Sequence, residues 1–136
     1  MGVNLARTKL VVKKAKNLGD DDYRKCMSLN LRIDGKMRYD LPIERKRDSA
    51  HVVLIKQDSK LLAWALVRPA DDGKPGREAQ FYVRKNRRGQ GLAKRLMRQT
   101  LKLESKPLVY PSPQNAYFFK QYKKTIRYDD YWKDFL

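Results

Sequence analysis

Phe81-Tyr82-Val83-Arg84-Lys85-Asn86-Arg87-Arg88-Gly89-Gln90-Gly91-Leu92-Ala93-Lys94 is the stretch on which the fold turns. An apolar, β-prone triplet runs into basic residues, and two glycines then open a helical pattern. A helix start carries backbone N–H groups without intrahelical partners and the positive end of the helix dipole. Glycines let a phosphate approach that backbone closely, so the segment predicts an anion site suited to a pyrophosphate. Arg87 and Arg88 add formal charge beside it, and from Arg77 to Lys102 nine Lys or Arg stand against one acid, Glu78. Neither common nucleotide motif is present. There is no Gly-x-x-x-x-Gly-Lys-Ser/Thr, and Lys94 stands where the third glycine of Gly-x-Gly-x-x-Gly would be.

Working outward, Glu78 to Arg84 predicts a strand and Gly91 to Glu104 a helix with Leu92, Leu96, Thr100 and Leu103 on one face. Leu108 to Tyr110 predicts a short strand. The three make a βαβ unit with parallel strands and a right-handed crossover. Upstream, His51 to Gln57 and Leu61 to Arg68 are β-rich runs joined by Asp58-Ser59-Lys60, the pattern of an antiparallel hairpin. Thr8 to Lys13 predicts a first strand. Asp20-Asp21-Asp22 favours the start of a helix running to about Ile33, and Pro42 to Arg47 predicts a short helical turn. Downstream, Ser112 can cap, and Pro113 begin, a last helix reaching about Lys124.

At 136 residues there is room for one domain. A hydrophobic fraction of 41% excludes a wholly disordered chain. The longest apolar runs, Val52 to Ile55 and Leu61 to Val67, fall far short of the roughly 20 residues of a spanning helix, so no membrane role is expected. Met1 to Leu10 lacks an apolar secretory core. The single cysteine, Cys26, cannot form an internal disulfide and falls at helical spacing with Tyr23, Met27 and Asn30, as a packed residue. A cytoplasmic, reducing compartment is the expectation. The formal net charge of +17 attracts polyanions: nucleic acid, phosphorylated cofactors or an acidic protein.

Arg88-Gly89-Gln90-Gly91-Leu92-Ala93 resembles the Arg/Gln-x-x-Gly-x-Gly/Ala signature of the GNAT superfamily of acyl-CoA-dependent N-acyltransferases, with Arg88, Gly91 and Ala93 at the matching positions. Phe81-Tyr82-Val83 looks like the family's fourth strand and Leu96-Met97 like the apolar face of its third helix. The resemblance covers about His51 to Lys124. It implies a single-domain α/β GNAT-like fold over residues 1–136, a mixed, mostly antiparallel sheet with helices on both faces. It also implies acetyl-CoA as cosubstrate. Backbone amides from Gly89 through Gln90, Gly91, Leu92 and Ala93 to Lys94 would hold the CoA pyrophosphate, helped by Arg87 and Arg88. Backbone groups of Phe81 and Val83, flanking Tyr82, would pair with the pantetheine amides in a slot made by splaying from the Leu108 strand. A main-chain N–H at the strand end would face the thioester carbonyl. Asn115 joins the cofactor contacts by the same resemblance.

The family's base is often a carboxylate on or near its fourth strand. Glu78 is the only acid there and the first candidate, against the plainer reading of a surface glutamate paired with Arg77 or another base. His51, the sole histidine, has a suitable titration range but reads better as an ordinary strand-end residue. The family's acid is usually a tyrosine on its fourth helix. Counting from Asn115 puts Tyr122 in that place, whereas counting from Phe118-Phe119 puts Phe119 there and supplies no acid. Tyr117 and Tyr122 both stand as candidates, and Phe118 and Phe119 read as core. The family usually continues with two further strands, whereas here only Thr125 to Leu136 follows, so the fold is shortened at its C-terminus. Ile126 to Tyr128 can supply one strand. The aromatic tail, Tyr128, Tyr131, Trp132, Phe135 and Leu136, then either pairs with a second copy or a target protein, or folds back on its own sheet.

Two functions follow. One is an acetyl-CoA-dependent N-acetyltransferase acting on an amine of a macromolecular acceptor, a protein or something associated with nucleic acid. The alternative is a non-catalytic GNAT-fold module that binds nucleic acid or an acidic protein through its charge. A nucleic-acid-binding protein of another fold has only basic clusters such as Arg45-Lys46-Arg47 in its favour.

Overall fold

The computed structural model describes residues 7–34, 49–70, 74–111 and 115–128. Its frame is a four-stranded antiparallel sheet in chain order. The strands are β1 (Thr8–Lys14), β2 (His51–Gln57), β3 (Lys60–Pro69) and β4 (Arg77–Val83). The turn between β2 and β3 is two residues long, with Asp58 at φ 55°, the left-handed geometry such tight hairpins use. The expected strands and hairpin are therefore present, with shifts of one residue at their ends. The helical turn expected at Pro42 to Arg47 lies outside the described residues, as do Ser112 and Pro113.

Period-two alternation splits the apolar side chains between two faces. Val52, Leu54, Trp64, Leu66 and Tyr82 pack under α1 (Asp20–Asp34) with Leu18, Cys26, Met27 and Leu29. Val53, Ile55, Ala63, Ala65, Phe81 and Val83 pack under α2 (Leu92–Leu103) with Leu92 and Leu96. Helices thus cover both faces, as the resemblance implied. Burial pushes the Cys26 thiol up from its usual range, so it stays a packed, protonated residue. On the α1 side, burial raises the Asp22 carboxyl, but Lys56, Lys13 and Lys25 outweigh it and hold it below the usual carboxylate range.

Beyond β4 the expected strand at Leu108 is reduced to single bridges. Leu108 pairs in parallel with Glu78 on one side and with Arg127 on the other. The parallel βαβ arrangement is present, and Arg127, within the stretch expected to supply one strand, meets the outer edge of Leu108. The Arg127 guanidinium also donates to the Pro75 and Lys106 carbonyls, both at 2.6 Å, and so ties three loops together. The last helix is short: α3 (Ala116–Lys120) passes into turns that reach Thr125. No helix among the described residues is long and apolar enough to cross a membrane.

Candidate cofactor and acyl-transfer site

The floor of the site is set by how β4 is paired. Ala79 N–H donates to Leu108 O and Leu108 N–H to Arg77 O, each at 2.9 Å, so the backbone groups of odd-numbered β4 residues point away from β3. The same parity aims the N–H and C=O of Phe81 and Val83 outward. Past the single Glu78–Leu108 bridge, however, the neighbouring chain turns off, with Val109 N–H donating to Arg127 O at 2.9 Å. No described backbone pairs with Phe81 or Val83 on that side, and a fork opens there. The side chains alternate across it. Tyr82 is buried against Trp64 with ring centroids 4.8 Å apart, while Phe81 meets Phe119 at 5.8 Å.

The loop at the open end of the fork is shaped for close approach. Leu62 is the extra residue of a bulge in β3, and Arg84 is anchored there, its N–H on Leu62 O and its guanidinium on Leu61 O. One 3-10 turn (Lys85–Arg87) follows, and then Gly89 and Gly91 at φ 80° and 83°. A side chain is rarely accepted at such angles, and at both positions the space a Cβ would enter is open for 4 Å. Gly91 caps α2, whose ladder begins with Arg95 N–H on Gly91 O at 3.1 Å. The N–H groups of Leu92, Ala93 and Lys94 therefore precede the first intrahelical bond. Two polar atoms beside this loop, Arg87 Nε and Gln90 Oε1, are buried without a hydrogen-bond partner. Arg88 is exposed, with its Nε 3.3 Å from Val83 O. Leu92 is a core residue, Ala93 is half-buried and Lys94 is exposed.

The candidate acid–base residues separate. Glu78 is 1% exposed, and both its oxygens are occupied. Arg68 Nε donates to Oε1 at 2.6 Å, and the Tyr110 hydroxyl donates to Oε2. Its ionic partner is thus Arg68, directly across the strand pair, rather than Arg77. Arg77 instead lies 3.3 Å from His51 Nδ1, and burial together with Arg77 and Lys14 lowers the His51 pKa. Asn115 Nδ2 donates to Tyr110 O at 3.4 Å, which brings the start of α3 to the Tyr110 side of the fork. Tyr122 packs on Phe118 with centroids 5.2 Å apart, and Phe119 is core. Tyr117 is 84% exposed and points away from this cluster.

Sequence reasoning missed Arg68 and Tyr110. Arg68 carried a signal, because hairpin and meander register places a lone cation at the end of an apolar strand opposite Glu78. Tyr110 carried none, since only the bridge at Leu108 brings it to β4.

Residues 17–105 match the model of the Acetyltransferase (GNAT) family. Among solved structures, Escherichia coli ElaA superposes with a TM-score of 0.69 at 15% identity, covering 85% of each chain. A ribosomal-protein-alanine N-acetyltransferase from Brucella melitensis gives 0.56 at 16% identity, covering 90% of this chain and 93% of that one. The aminoglycoside N-acetyltransferase AAC(6')-Iy in complex with CoA gives 0.61 at 12% identity, covering 87% of each. At these identities the superpositions speak for the fold alone. Among curated proteins, no sequence match to the chain was found. The family match spans most of the sheet, the glycine loop and α2, and on it this chain belongs to the acetyltransferase (GNAT) family.

Proposed function

We propose that the chain transfers an acetyl group from acetyl-CoA to an amine on a macromolecular acceptor. The observation that carries this reading is the conjunction of a β4 edge where no described backbone pairs with Phe81 or Val83 and a glycine-lined helix start at its end. A molecule with an extended amide chain and a pyrophosphate, such as acetyl-CoA, matches both. The Phe81 and Val83 backbone groups would take the amides, the N–H groups from Gly89 to Lys94 the pyrophosphate, and Arg87, Arg88 and Gln90 the adjoining polar groups. Asn115 braces the far side of the fork. Acetyl-CoA supplies a thioester, and a β4-edge N–H is the donor available to its carbonyl oxygen.

Glu78 is sealed from solvent, so in this reading it acts only through Tyr110. The Tyr110 oxygen takes a proton from the amine as its own proton moves to Glu78, whose other oxygen is held by Arg68. Tyr122 is the phenol left to return a proton on the thiol side. Phe119 in the core and a capped Glu78 also favour a second reading, in which the fold binds acetyl-CoA without transferring the acetyl group. Calorimetry with acetyl-CoA, followed by thiol release with amine-bearing acceptors, separates the two. Binding should be lost in Gly91→Glu and kept in Gly91→Asn, because asparagine tolerates positive φ and adds no charge. Undiminished binding by folded Gly91→Glu would refute the site.

A further inference from the structure

Charge is distributed unequally over the two faces of the sheet. Under α1, acids are interleaved with bases: Asp22 pairs with Lys56 at 2.5 Å and Lys13 at 3.7 Å, and Asp21 pairs with Lys25 at 3.1 Å. Helix α2 contains no Asp or Glu, and its charged residues are Lys94, Arg95, Arg98 and Lys102. Arg95 is turned to β1, with Nη1 donating to Thr8 Oγ1 at 2.6 Å. Lys94, Arg98 and Lys102 are exposed, and their side chains have no ion pair or hydrogen bond among the described residues. They are four residues apart, which on an α-helix means about 6 Å of rise and about 40° of turn per step. They therefore form one ridge on the side of α2 opposite the buried Leu96 and Thr100.

We propose that this ridge binds the sugar–phosphate backbone of nucleic acid. A line of unneutralised cations with an Arg at its centre suits phosphate, which a guanidinium grips with two parallel hydrogen bonds. Each strand of a duplex presents a regular line of phosphates, one about every 3.4 Å of axis, for such a row of cations to neutralise. The ridge carries no apolar or aromatic side chain. It lacks the buried anchor that a folded acidic partner or a bilayer surface would need, and also the stacking groups that would read bases. Binding should be independent of sequence. Met97 packs with Val109 and Phe119 about 100° round the helix from Arg98, so Arg98 and Lys102 stay free when the fork is filled. The proposal does not depend on acetyl transfer.

The test is fluorescence anisotropy of a labelled DNA duplex of about 20 base pairs over about 50 to 300 mM KCl. Arg98→Gln/Lys102→Gln leaves Lys94 and the glycine loop untouched. Each lost phosphate contact lowers the slope of log K against log salt by about 0.9, so this variant should lose about 2 from the slope. Lys123→Gln/Lys124→Gln, the same charge change on exposed lysines after α3, should keep the wild-type slope. A circular-dichroism melt shows that both variants are folded, whether or not acetyl-CoA binds. An unchanged slope in the ridge variant, or an equal loss in the Lys123/Lys124 variant, overturns the proposal. So does tighter competition by a polyglutamate peptide than by unlabelled duplex of equal charge, which would assign the ridge to an acidic protein.

Discussion

Replacing Arg68 with Met should destabilise the protein by about 3–5 kcal/mol at pH 8, the cost of leaving a buried carboxylate without its counter-ion. Arg68 is 8% exposed and Glu78 1%, so water cannot take over the lost contact. After the change, Glu78 keeps the Tyr110 hydroxyl as its partner among the described residues. Native domains have about 5–15 kcal/mol in hand, so this loss is a large share of the total. Arg68→Met/Glu78→Leu removes both charges and so avoids the buried, uncompensated carboxylate. The double variant should therefore be more stable than the single one. Urea unfolding followed by tryptophan fluorescence reads all three proteins, because Trp64 is buried in the core against Tyr82. A loss below about 1 kcal/mol in Arg68→Met, or a double variant less stable than Arg68→Met, would refute the role of the ion pair.

Gly76→Ala should cost at least about 1–2 kcal/mol from its φ of 74° alone. It should cost more because the new Cβ would lie 2.5 Å from Arg127 Nη2, and a thermal melt matching wild type would contradict the clamp. His51 has a lowered pKa in the folded state, so the unfolded chain takes up a proton first as the pH falls below about 6.5. Stability should be flat above that value and decline below it, and the part of this decline due to His51 should vanish in His51→Gln, as melting temperature against pH will show. If Tyr122 returns the proton to the thiol, Tyr122→Phe should lower kcat by tenfold or more at unchanged acetyl-CoA affinity, a fall of about 1.4 kcal/mol in transition-state stabilisation. Tyr117→Phe, at an exposed position, should match wild type, and the reverse order of effects would exchange their roles.

The sequence by itself determined the sheet, its two covering helices and the glycine loop. These rest on local signals: β-branched runs broken by Asp58-Ser59, three aspartates at a helix start, and Gly89 and Gly91 where φ must be positive. Each is a property of neighbours in the chain, and neighbours are visible in a sequence. The tertiary structure alone decided what Glu78 is. Whether that carboxylate lies on the surface or in the core depends on which face of β4 it occupies, on Arg68 one strand away, and on Tyr110 brought in by the Leu108 bridge. The fork was decided at the same level. An edge is open only where another strand fails to arrive, and the departure of the chain after Leu108 is fixed by its bonds to Arg127, far along the sequence. The sequence left two registers for the acid, one giving Tyr122 and the other Phe119; packing buries Phe119, sets Tyr122 on Phe118 and turns Tyr117 outward. Helical spacing in so short a helix as α3 cannot decide that, because five residues turn less than one and a half times and present no lasting face.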